Sequence, residues 1–273
     1  MAIIDGLDHV IVGVADLEQA HRQWQRLGFT VTPRGRHKGW GTANYCVMFA
    51  QGYVELLGVV DPAEYTYGLD RFLVEHGEGM IGLAYETADE RRTYDGLKAE
   101  GLAEDPPRDL SRLLELPEGT VEPAFRLVHP TPRDALGGGA FVVRHMTPEV
   151  IRRPEWLAHA NGARRLALVT VAVADPAPVA EAWRRLLGSA AVAEDDAGAT
   201  VRIGGGVVHF GRAEPGMREG PVGIGVAVAE PETARALLDA SRIPYEAGPE
   251  GIDVPPEAAN GVALSFLPET LLG

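Results

Sequence analysis

His9 and Glu55 are the two residues whose types and settings could do chemistry together. His9 lies in the apolar run of residues 7–14 and Glu55 in that of residues 52–57, each of strand length. Alternate side chains of a strand face one side, so a histidine and a carboxylate on neighbouring strands could share a proton or a metal ion. As a catalytic pair, Glu55 is the general base and His9 its partner. As metal ligands the two are an incomplete set, so a divalent ion is expected to be weakly held or absent. The plainer alternative is a core histidine hydrogen-bonded to Glu55. No organic cofactor is expected.

The pattern His37-x-Gly39-x-Gly41-Thr42-x-Asn44 is the most unusual local run. Its glycines predict tight turns as the chain enters a strand begun by Asn44, and it lacks the spacing of a phosphate loop. His37 and Asn44 are therefore candidate substrate-binding residues, with a simple polar turn as the alternative. Arg144 sits in the apolar run 141–144, where a guanidinium must be paired or face a solvated cavity. Facing a cavity, it would offer a forked donor to an anionic ligand; paired with Glu55, it would be structural. Cys46 reads as a small buried hydrophobe. His129 and His159 need only surface or capping roles, and His145, next to Arg144, is expected on the opposite side of the strand.

The elements that must position these residues form a repeat. Val12-Gly13-Val14-Ala15-Asp16 ends a strand and caps a helix, with Gln19 at the capping-box position. Leu17, Ala20, Trp24 and Leu27 follow at helical spacing, and Gly28 stops the helix. The pattern returns as Val171-Ala172-Val173-Ala174-Asp175, with Pro176 at the first helical position and Trp183 at the offset of Trp24. Fainter copies run from Glu78 to Asp89 and from Glu219 to Glu230, with Leu97 and Leu238 at the tryptophan offset. Each helix is followed by strand material: residues 29–31, 44–49 and 52–58 in the first unit, and 189–193, 199–203 and 206–211 in the third. Residues 245–247 and 261–267 serve the fourth. In the second unit the acidic stretch 115–122 reads as a longer loop. The order is one pair of βαβββ units and its duplicate, so the expected fold is α+β. Four βαβββ units form two paired, curved mixed sheets with helices on their convex faces. The expected division is 1–160, carrying the candidate site, and 161–273, structural or oligomeric, with a short helix near residues 154–157 in the connector. Aligned on the caps, the position of His9 holds Gly82, Leu168 and Gly223, and that of Glu55 holds Arg144, His209 and Ser265.

Bulk properties exclude several roles. Apolar content of 45% with 23% charged residues fits a globular chain rather than a disordered one. A net charge of −14 opposes nucleic-acid binding, which needs a basic face. One cysteine permits no intrachain disulfide. No apolar run approaches membrane-spanning length and no signal sequence opens the chain, so no membrane partner and a cytoplasmic location are expected.

The repeated units, the opening Asp8-His9-Val10-Ile11, the His37–Asn44 pattern, Glu55-Leu56-Leu57 and Phe141-Val142-Val143-Arg144 resemble the vicinal oxygen chelate superfamily. Within it they look most similar to the glyoxalase-like domain family. The resemblance implies two units paired into a cupped sheet that holds a small molecule, usually around a divalent metal bound by His and Glu. It implies a lyase, isomerase or dioxygenase type of reaction on a small anionic metabolite. Alternatively, the same cup sequesters a ligand without turnover. His9 and Glu55 match the family's ligand pattern, whereas Gly82 and Arg144 depart from it. A homodimer is compatible with this reading.

Overall fold

The computed structural model describes residues 3–271. Its first unit comprises β1 (Gly6–Val14), α1 (Leu17–Arg26), β2 (Gly35–His37), β3 (Thr42–Met48) and β4 (Tyr53–Val59). A short helix, α2 (Leu69–His76), precedes the second unit: β5 (Gly79–Glu86), α3 (Glu90–Ala99), β6 (Arg108–Leu116), β7 (Gly119–Val121), β8 (Ala124–Val128) and β9 (Phe141–His145). After α4 (Pro148–Ile151) come β10 (Ala163–Val173), α5 (Pro176–Leu187), β11 (Val192–Asp195), β12 (Gly198–Ile203) and β13 (Gly206–Arg212). The fourth unit is β14 (Gly220–Val228), α6 (Pro231–Ser241), β15 (Glu246–Gly248), β16 (Gly251–Val254) and β17 (Ala263–Pro268).

The helices start where the sequence places their caps. Asp16 accepts from the Gln19 N–H at 2.9 Å, and Asp89 and Asp175 cap α3 and α5 through their carboxylates. The units pair as expected. One sheet runs β2-β3-β4-β1-β5-β9-β8-β6-β7 and the other β11-β12-β13-β10-β14-β17-β16-β15. In each, the first strands of two units meet antiparallel, β1 with β5 and β10 with β14. β1 is buried along its whole length, which explains its unbroken apolar run. The two sheets differ in one respect. β2 also pairs with β6, through Gly35–Leu114, Arg36–Leu113 and His37–Arg112, so the first sheet curls into a barrel-like cup.

Trp24, Leu97, Trp183 and Leu238 are all fully buried between helices and sheets. The two tryptophans also bind the halves to each other. Trp24 Nε1 donates to Asn260 Oδ1 at 3.1 Å, and Trp183 Nε1 donates to the Leu136 carbonyl at 3.3 Å. Phe29 stacks on Phe266, and the Trp183 ring meets Tyr85 edge-on, so one core runs through both sheets.

Several local expectations are corrected. Residues 29–31 are not a strand; the second strand is β2, which places His37 in the sheet rather than in a turn. The stretch 115–122 is no open loop but the β6–β7 hairpin. α2 has no counterpart in the sequence reading.

Candidate functional site

The concave face of the first sheet encloses a cavity of about 350 Å³. β1 supplies His9, β2 His37, β3 Asn44, β4 Glu55 and β6 Arg112. Four of the five residues expected at the site are therefore brought together, all of them buried.

Glu55 is the centre of the cluster. Asn44 Nδ2 donates to Glu55 Oε1 at 2.5 Å. His9 Nε2 stands 3.7 Å from Glu55 Oε2, and His37 Nε2 stands 3.8 Å from Glu55 Oε1. Each imidazole is oriented from behind. His37 Nδ1 pairs with the Thr42 hydroxyl at 3.0 Å, and His9 Nδ1 pairs with Asp8 Oδ2 at 2.6 Å. Burial pushes the His37 imidazole below its ordinary value despite the pull of Glu55, and Arg112 adds to that depression, so His37 is neutral at pH 7.

Asp8 is a site residue that the sequence reading missed. Strict alternation would point it away from His9. The β1–β5 ladder slips between Leu7 and His9, so that Leu7 pairs with Tyr85 and His9 with Ala84, leaving Asp8 as a bulge residue. The bulge turns its carboxylate toward His9, and its second oxygen takes a 2.7 Å hydrogen bond from His145 Nε2. Burial would raise the Asp8 carboxyl. The charge and hydrogen bonds of His145 and His9 outweigh that and hold it well below the usual carboxylate range.

Arg144 is not at the site. Its Nη1 donates to Glu90 Oε2 at 2.6 Å, and Arg126 donates to the other oxygen of Glu90 at 2.6 Å, on the outer side of β9. The ladder registers give the reason. His9 pairs with Tyr53 and Ile11 with Glu55 in the first unit, while Ala84, the counterpart of Ile11, pairs with Phe141 in the second. Phe141 therefore occupies the position of Glu55, and Arg144 that of Gly58. The same registers leave His209 and Ser265 at the Glu55 position in the third and fourth units, as expected.

Three arginines line the cavity, Arg108, Arg112 and Arg133, and of these Arg112 is the buried one, only 5% exposed. Among the described residues it has no carboxylate within 4 Å. Its Nη1 makes no hydrogen bond, nor does the neighbouring Asn44 Oδ1, and its Nη2 has only the Cys46 sulfur at 4.0 Å. A charged residue inside the Leu-rich run 110–116 was the available signal for it. Cys46 is buried, and burial pushes its thiol up to about 12, so it is inert. His129 lines the cavity mouth, whereas His159 is a clamp, taking the Thr30 N–H on Nδ1 at 3.0 Å and donating from Nε2 to the Met48 carbonyl at 2.9 Å.

The sequence matches the glyoxalase-like domain family over residues 7–187. The chain belongs to that family. It is thereby a vicinal oxygen chelate protein, and the paired units are those of that superfamily. No curated protein is significantly similar in sequence. A hypothetical protein from Staphylococcus aureus has a similar structure, with TM-score 0.71 and 12% identity over 96% of this chain and 98% of that one. A variant of 4-hydroxymandelate synthase from Streptomyces coelicolor has TM-score 0.62 and 13% identity over 98% and 93%. A xylose isomerase-like TIM barrel/4-hydroxyphenylpyruvate dioxygenase fusion protein has TM-score 0.56 and 12% identity over 98% of this chain and 49% of its own. At such identities these likenesses establish the fold alone.

Members of the vicinal oxygen chelate superfamily often use a divalent ion. Among the described residues no three His, Cys, Asp or Glu side chains are arranged to hold an ion. Gly82 and Phe141 stand where the second unit would contribute ligands. The buried Arg112 guanidinium adds a fixed positive charge to the same cavity, which disfavours a cation there. The side chains do not fit a resident metal.

Proposed function

We propose that this glyoxalase-like protein is an enzyme of proton transfer, acting on a carbon next to a carbonyl or carboxylate of a small anionic metabolite. The observation that carries the reading is the company Glu55 keeps. Two imidazole nitrogens face it at 3.7 and 3.8 Å, in a cavity that also holds a buried guanidinium without a carboxylate partner. A charge left unpaired in the interior is costly, so Arg112 calls for an anion from outside the chain. With the ligand's anionic group on Arg112, Glu55 takes the proton from the adjacent carbon. The electron pair of that C–H bond moves to the oxygen near Arg112, where the guanidinium stabilises it. Return of the proton from Glu55, directly or relayed through His9, remakes the C–H bond: on the same face it restores the ligand with solvent hydrogen exchanged in, and on the opposite face it inverts a chiral carbon, an epimerisation. Asp8 and His145 hold His9 with its Nε2 toward Glu55, and Asn44 fixes the carboxylate.

Residues 1–160 carry this site in our reading, and residues 161–273 support it. Leu168, His209, Gly223 and Ser265 at the equivalent positions make no comparable cluster.

The test is solvent-deuterium exchange at the α carbon of a panel of small carboxylates and keto acids, followed by NMR. The wild-type protein should catalyse exchange in at least one of them, and Glu55→Gln should slow it by about 10²–10⁴-fold, the usual worth of a general base. Binding with no exchange in any panel member would replace this reading with sequestration by the same cup.

A further inference from the structure

The cavity is divided in a way that specifies the body of the ligand as well as its head. The first unit lines one side with His9, His37, Asn44 and Glu55. The second unit lines the other with an apolar patch of Leu110, Phe125, Leu127, Phe141 and Val143 around Arg112, and with Arg108, Asp109, His129 and Arg133 beside that patch. Phe141 matters most, because the ladder register puts it opposite Glu55 by pseudo-symmetry. Its ring meets His9 edge-on at 5.6 Å, and Tyr53 stacks on His9 at 4.4 Å. Toward the mouth, Trp40 stacks on Tyr67 at 5.8 Å and meets Tyr65 edge-on at 5.0 Å.

We infer that the cup takes a planar, ring-bearing carboxylate, with its carboxylate on Arg112 and its ring among Phe141, Phe125 and the Trp40 cluster. Rings favour other rings in edge-on or offset geometry, which adds to the gain from burying area. A saturated body of equal size gains only the area. A ring on the Phe141 side also leaves the carbon between ring and carboxylate facing Glu55. The inference rests on the proton-transfer reading for the role of Arg112, and it names the substrate class of that same site.

The experiment is calorimetric titration with four probes: phenylacetate, cyclohexylacetate, acetate and benzyl alcohol. Phenylacetate should bind at least tenfold more tightly than acetate and benzyl alcohol, and severalfold more tightly than cyclohexylacetate. Phe141→Leu should erase the preference for phenylacetate over cyclohexylacetate. Trp40→Leu, at a partly exposed position that folding tolerates better, should reduce that preference in part. Equal affinity for phenylacetate and cyclohexylacetate would overturn the ring assignment, and equal affinity for phenylacetate and acetate would overturn the apolar pocket. No binding by any carboxylate would overturn both the inference and the role given to Arg112. The expected ranking without deuterium exchange would uphold the ligand class while removing the catalytic reading.

Discussion

At the scale of single residues, two charge networks on opposite faces of β9 do different work. His145 reaches inward to Asp8, while its neighbour Arg144 reaches outward to Glu90. Burial would raise the Glu90 carboxyl, but hydrogen bonds from Arg144 and Arg126 outweigh it and bring it down to about 2. A carboxyl lowered on folding contributes stability that is fully present above its unfolded value, near 4.5. That contribution is lost as pH falls from there toward 2. Glu90→Gln should therefore cost about 1–2 kcal/mol at pH 7, a figure reduced because both arginines keep over a third of their surface in water. Urea unfolding of wild type and variant should show that gap narrowing steadily between pH 5 and pH 2. A gap that stays constant with pH would remove the charge network as its source.

At the scale of elements, β2 is the shortest strand at the site and the most constrained. A Cβ added at Gly35 would lie 2.0 Å from Asn44 Oδ1 and 2.4 Å from Arg112 Nη1, so a side chain there must displace both groups. Gly35→Ala should weaken carboxylate binding about tenfold or more, roughly 1.4 kcal/mol. Gly248→Ala, where an added Cβ meets nothing, should leave binding unchanged in the same titration. Much of this layout was legible in the chain. The Asp caps, the tryptophan offsets and the His37–Asn44 pattern located three of the four units in register and four of the five expected site residues. The second unit slipped by three positions because the β6–β7 hairpin and the long loop before β9 erase the spacing that the caps provide elsewhere. Asp8 was unreadable for another reason: a bulge breaks the alternation on which strand reading depends. Arg112 was hidden because its significance lies in what does not touch it.

At the scale of the whole molecule, the duplicated pairs are not beads on a string. Each odd-numbered unit sends its helix tryptophan to a hydrogen bond in the other half, and Glu78 extends one of these links by accepting from Asn260 at 2.8 Å and from the Ala15 N–H at 2.8 Å. The first sheet is further distinguished by the β2–β6 seam. That seam joins segments more than seventy residues apart in sequence, and His37 and Arg112 face each other across it. Contacts so distant form late, because the chain must first lose the entropy of closing the loop between them. The helix-flanked β1–β4 and β5–β9 units have nearer partners and need not wait. In refolding from urea, helical signal should accordingly return before the ability to bind phenylacetate. Recovery of both together would mean the seam closes with the rest of the fold. If the lag is present, a chain can be compact and helical yet chemically inert, and a few backbone hydrogen bonds between distant segments decide when it begins to work.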